Sequence, residues 1–208
     1  MILGLLLLIV LILLTLSQCI VLEGFSNLPI YLVGDSVLDN GKYVGKDRSV
    51  RAHLSNKGCT VIDLAKDGCP IAGLSMQIKH IRCETAVVVV SAGGNNILQN
   101  RHFNKRSWER SLNRGFGLYK KTVSELLKCP KLKVVLLDVY YPLDAEYEKC
   151  YPLIRYWNSM LYAYASENEI RMWKISKSLT SPSDFVNGIE PSEIGGAKIA
   201  SRILEAEY

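Results

Sequence analysis

Thr85-Ala86-Val87-Val88-Val89-Val90-Ser91 decides the fold class. Four β-branched residues in succession suit a strand better than a helix, where branching at Cβ restricts χ1. Apolar and polar residues do not alternate along the run, so both faces of the strand are buried, as in a parallel sheet covered by helices on each side. Such a strand needs neighbours of similar character. Pro29 to Val33, Cys59 to Leu64, Leu132 to Val139 and the shorter Ile170 to Ile175 supply them. Segments with helical spacing lie between: Ser49 to Asn56, Ile71 to Ile81, Trp108 to Lys128, and Ala145 to Asn168 with an interruption near Pro152. Pro191 to Ala206 opens with Pro-Ser-Glu, a suitable first helical turn. Strand and helix alternate about five times, which predicts an α/β fold with a parallel sheet.

The chain has 208 residues, of which 49% are hydrophobic and 22% charged, so it has enough apolar material for one sizeable core and is not disordered. The net charge of +5 is modest. Arg101 to Arg114 holds a local basic run and reads as a solvated helix face, and no nucleic-acid motif accompanies it. Six cysteines are present, at 19, 59, 69, 83, 129 and 150. None forms a Cys-x-x-Cys pair and no histidine stands at a zinc-ligand spacing, so no metal site is expected. Cys59 and Cys83 adjoin apolar runs and read as small core residues. The absence of a disulfide-framework pattern slightly favours a reducing compartment.

Ile2 to Leu22 is nearly continuous hydrocarbon, about long enough to cross a bilayer as a helix. No basic residue precedes it and no clear small-x-small site follows, which favours an uncleaved N-terminal anchor over a cleaved signal peptide and secretion. The expected organisation is therefore a hydrophobic segment over 1–25 and one soluble domain over 26–208.

In a parallel α/β sheet, functional residues collect on loops at the carboxyl ends of strands. The first such loop is Gly34-Asp35-Ser36-Val37-Leu38-Asp39-Asn40. The second is Ala65 to Cys69, with Gly68, and the third is Ser91-Ala92-Gly93-Gly94-Asn95-Asn96. The last, Asp184 to Ser192, carries Asn187-Gly188-Ile189-Glu190. Each is polar and mostly glycine-rich, as suits backbone that approaches a ligand. Ser36 on a strand-to-loop turn suits either a nucleophile or a helix cap.

These four loops, in this order, resemble the blocks of the GDSL/SGNH hydrolases over residues 30 to 206. The resemblance implies a three-layer α/β/α domain with a five-stranded parallel sheet in flavodoxin-like order. It implies ester hydrolysis through an acyl-serine intermediate, without metal or organic cofactor. Ser36 matches the nucleophile. Ser36 N–H, Gly68 N–H and the Asn95 amide match the oxyanion hole, whose donors are commonly worth about 3 kcal/mol each.

The last block departs from the family pattern. Glu190 stands where the family has its histidine base, and Asn187 where it has the aspartate that steadies that base. One expectation is that Glu190 takes the Ser36 proton, with burial raising its pKa and Asn187 orienting it. Asp184 or Asp35 acting through water is another, and His102 approaching from a lid a third. The alternative to catalysis is an inactive SGNH-fold binding module.

Overall fold

The computed structural model describes residues 28–205. The hydrophobic segment 1–25, with the expected anchor or signal peptide, lies outside the described residues. Among the described residues, no helix is long and apolar enough to cross a membrane.

Five strands form one parallel sheet: β1 (Ile30–Gly34), β2 (Val61–Asp63), β3 (Ala86–Ser91), β4 (Leu132–Leu137) and β5 (Arg171–Trp173). Their order is β2-β1-β3-β4-β5, the flavodoxin-like order. The valine-rich run is the central strand, and all six residues of β3 are buried. Successive side chains point to opposite faces. Tyr31, Val33, Val88, Val90, Val134 and Leu136 face one core, while Ile30, Leu32, Val87, Val89, Val135 and Leu137 face the other.

The first core is closed by α5 (Lys105–Leu127) and α6 (Tyr151–Glu167). Trp108, Leu112, Phe116, Tyr119, Val123 and Leu126 recur at helical spacing along α5 and are buried. Arg106, Arg110 and Arg114 lie on its exposed side, which places the basic run on a solvated helix face. Asn104 caps α5 by accepting from Ser107 N–H, an interaction typically worth about 1 kcal/mol. The second core is closed by α2 (Val50–Ser55) and α7 (Glu193–Leu204), through Val50, Leu54, Ile199 and Ile203. Shorter helices α1 (Gly41–Val44), α3 (Leu74–Gln77) and α4 (Gly94–Asn100) follow strand ends.

Several local expectations are corrected. Ile71 to Ile81 is not one helix: 3₁₀ turns at Ile71–Gly73 and Ile78–His80 flank the four-residue α3. Gly73 sits where a Cβ would come within 2.5 Å of Cys69 Sγ. The interruption near Pro152 is the change from a 3₁₀ segment over Ala145–Cys150 to α6, where proline's missing N–H needs no partner in a first turn. Pro191 belongs to a small antiparallel hairpin of β6 (Phe185–Val186) and β7 (Glu190–Pro191), and Ser192 caps α7 by accepting from Gly195 N–H. Cys83 is not a core thiol: it forms a disulfide with Cys129 that ties the loop before β3 to the connection between α5 and β4. Cys59, Cys69 and Cys150 are free.

Candidate active site

The site sits at the carboxyl end of β1, β3 and β4. β1 ends at Gly34, with φ +145, where a Cβ would collide with the Ser91 carbonyl of β3. Only glycine lets the two strand ends approach this closely. The buried Gln77 side chain on α3 grips Gly34 from both sides: Gly34 N–H donates to Oε1 (2.7 Å) and Nε2 donates to the Gly34 carbonyl (2.8 Å). The chain then turns sharply, with Leu38 N–H and Asp39 N–H both donating to the Asp35 carbonyl. This turn holds Ser36 at the cavity wall, 8% exposed.

Of the two loops expected to supply donors, the third brings Asn95 to the cavity of Ser36, whereas Gly68 of the second is not among the residues lining it. Gly93, at φ +117, leads into α4 and leaves Asn95 in its first turn. A Cβ on Gly93 would come within 2.5 Å of the Trp157 ring, so this turn is pressed against α6. Asn95 Nδ2 donates to the Cys69 carbonyl at 3.3 Å, joining the third loop to the second. Asn96 Oδ1 accepts from Ile71 N–H at 3.0 Å and reinforces that joint. Gly68 lies in the second loop at φ +74, exposed, with open space where a side chain would be. Among the described residues, neither Ser36 N–H nor Gly68 N–H donates a hydrogen bond to protein.

Glu190 arrives from the hairpin. Asn187 and Gly188 at its tip have φ +52 and +69, the paired left-handed conformation of a type I′ turn, for which Asn-Gly is the preferred dipeptide. Three bonds fix the hairpin beside the nucleophile loop. Leu143 N–H donates to the Gly188 carbonyl (3.1 Å), and Tyr140 O–H to the Ile189 carbonyl (2.6 Å). Asn40, wholly buried, donates from Nδ2 to the Pro191 carbonyl (3.2 Å) and accepts at Oδ1 from Val50 N–H (2.9 Å). Asn40 thus links the loop of Ser36, the start of α2 and the strand of Glu190. Sequence reading placed Asn40 in the right loop but missed this role, as it missed Gln77. No local pattern marks a residue whose partner is 151 positions away.

Ser36, Asn95 and Glu190 line one cavity of about 50 Å³. Burial raises the Glu190 pKa, nearby Asp67 adds to the rise, and interaction with the Ser36 hydroxyl opposes it. Lys42 and Tyr43 also oppose it. No aligned hydrogen bond joins Ser36 to Glu190 here, and Glu190 Oε2 is buried without a partner. Asp35, 2% exposed, lines the same cavity. Burial pushes its carboxyl up to about 7, and Glu190 contributes to that rise. The arrangement has the parts acyl transfer requires: a hydroxyl, a partly desolvated carboxylate within reach of it, and an amide from Asn95 on the same cavity.

Other sequence candidates fall elsewhere. Asn187 is exposed at the hairpin tip and makes no side-chain hydrogen bond to Glu190, so its visible role is the turn. Asp184 is fully buried and engaged: its Oδ2 accepts from Thr180 and Ser181 N–H, and its Oδ1 pairs with Lys198 Nζ at 2.7 Å. Although burial pushes its pKa up, Lys198 and these donors leave it below the ordinary value. His102 is exposed, and no histidine lines the cavity.

The fold is similar to several solved structures. A member of the lipolytic G-D-S-L family from Veillonella parvula superposes with TM-score 0.65 at 21% identity, covering 86% of this chain and 97% of that one. A GDSL-like lipase from Bacteroides thetaiotaomicron gives 0.63 at 18% identity, covering 85% and 87%. An acetylxylan esterase from Geobacillus stearothermophilus gives 0.67 at 14% identity, covering 87% and 95%. At these identities the likeness shows the fold. No family model matches the sequence, and no curated protein matches it.

Proposed function

We propose that this chain is an SGNH-type hydrolase of carboxylic or O-acyl esters that works through an acyl-Ser36 intermediate. The observation that carries the reading is the meeting of Ser36, Asn95 and Glu190 on one cavity at the carboxyl end of the sheet, with Glu190 close enough to Ser36 for the hydroxyl to depress its pKa. The likeness of the fold to lipolytic proteins and an esterase supports it. Glu190 takes the Ser36 proton as Oγ attacks the ester carbonyl. Ser36 N–H, Gly68 N–H and the Asn95 amide receive the oxyanion. The protonated Glu190 then passes its proton to the departing alcohol, and water repeats the sequence to release the acid. No cofactor enters this mechanism. A carboxylate is a weaker base than imidazole, and the raised pKa of Glu190 narrows that gap.

Hydrolysis of p-nitrophenyl acetate by the full chain tests the reading. Ser36→Ala and Glu190→Gln are each expected to lower kcat by about 100-fold or more. Rates equal to the parent in both variants would refute it. The unpaired Glu190 Oε2 favours a second reading, a binding module that keeps the cavity without turnover. That reading predicts no hydrolysis by the parent chain and a saturable ligand shift that Glu190→Gln abolishes.

We also infer that segment 1–25 holds the domain at a membrane, with secretion after cleavage as the alternative. The Cys83–Cys129 disulfide runs against the reducing compartment expected from the cysteine pattern and supports an oxidising one for the domain. Retention of the full chain in carbonate-washed membranes would support the anchor, and a soluble product lacking 1–25 the alternative.

A further inference from the structure

The cavity that receives Ser36 and Glu190 runs between α4, α6 and the loop after β4. Away from the reacting groups its wall is apolar, built from Ile97, Leu98, Val139, Pro142, Cys150 and Ile154. Cys150, Ile154 and Ile97 are each 1% exposed and form its most deeply buried apolar wall. Behind them stands a packed aromatic group. Trp157, one turn beyond Ile154, is fully buried and meets Phe116 and Tyr119 edge-on, at ring centroid distances of 5.2 and 5.7 Å. The Gly93 turn presses on the same indole. A wall backed in this way cannot retreat without disturbing the core. The free volume is about 50 Å³. Pockets that take drug-sized ligands run to about 300–1,000 Å³, so this one suits a short alkyl chain.

We propose that this cavity is the acyl pocket and that it restricts the substrate to short-chain acyl esters, from acetyl to about butyryl, with Ile154 and Leu98 setting the limit. The inference rests on the ester-hydrolase reading and adds the class of acyl group. The carbonyl carbon lies over Ser36 Oγ with its oxygen towards Asn95. The alkyl chain points inward along Ile97 and Val139 and ends against Ile154. A longer chain has no space beyond Ile154, so it must either leave the pocket or displace packed side chains.

The test is kcat/KM of the full chain on p-nitrophenyl acetate, butyrate and octanoate, beside Ile154→Ala and Leu98→Ala. The parent chain is expected to favour acetate or butyrate over octanoate by about tenfold or more. Shortening either wall residue is expected to raise octanoate turnover relative to acetate by about fivefold or more. Leu98 is only half-buried, so its variant remains informative if Ile154→Ala fails to fold. Octanoate hydrolysed as well as acetate by the parent would overturn the chain-length limit and leave ester hydrolysis standing. Unchanged selectivity in folded variants would overturn the assignment of Ile154 and Leu98. Absence of turnover with all three esters would overturn both this inference and the function it rests on.

Discussion

Glu190 is the base of the proposed mechanism. As the base it must be ionised, so kcat/KM should rise with pH through a pKa above the ordinary 4.5 and then level off. Glu190→Gln should remove that step from the pH–rate profile. A profile unchanged in the variant would take Glu190 out of the mechanism. Asp35 offers a separate reading of the same cavity through stability. Its carboxyl titrates at about 7 in the folded chain against an ordinary 3.8, so between those values the folded state holds a proton the unfolded state has lost. The stability from the protonated form is complete below 3.8 and is lost as pH rises to about 7, up to about 4 kcal/mol in all. Asp35→Asn should therefore raise Tm at about pH 8 and have much less effect at about pH 5, because the amide keeps the acceptor used by Val37 N–H. Equal Tm changes at both pH values would contradict the shift. At this scale the sequence showed Ser36, Gly68, Asn95 and Glu190 as candidates because four loops in order resemble the blocks of the SGNH hydrolases. It did not show the burial that moves Asp35, which depends on what three other loops bring near it.

At the scale of elements, the hairpin of Phe185–Val186 and Glu190–Pro191 is what delivers Glu190, and its supports are testable. Asn187 occupies a positive-φ turn position, so Asn187→Gly should keep the hairpin and most of the activity. A loss matching that of Glu190→Gln would restore an orienting role for Asn187. Asp184→Asn breaks a pair between a fully buried carboxylate and Lys198, which is 40% exposed and stays solvated, and should cost about 1.5 kcal/mol in denaturant unfolding. A cost near zero would mean that the Asp184–Lys198 pair does not hold this segment. These supports were hard to see in advance. Two-residue strands carry no periodicity, and Pro191-Ser192-Glu193 read naturally as the opening of a helix. The Asn-Gly dipeptide was the one local sign of a tight hairpin turn. Gln77 and Asn40 clamp backbone far away in sequence, and only the closed fold brings those partners together.

For the molecule as a whole, the valine run from Val87 to Val90 was enough to predict a parallel sheet, because a strand apolar on both faces has few other places to go. The strand order followed from the resemblance of the loops. The Cys83–Cys129 bridge was not legible, since its partners are 46 residues apart and Cys83 looked like one more apolar neighbour of a strand. By the loop-closure argument it stabilises the fold by about 4 kcal/mol, so reduction should lower Tm and the denaturant midpoint, and an unchanged midpoint would count against it. In the proposed mechanism this fold presents Ser36 as a nucleophile that becomes acylated. Intact-mass analysis of the full chain after treatment with an alkyl fluorophosphonate tests it most directly. A single adduct mapped to Ser36 is expected, absent in Ser36→Ala and much slower to form in Glu190→Gln. A parent chain that remains unmodified, or an adduct on any other residue, would contradict it.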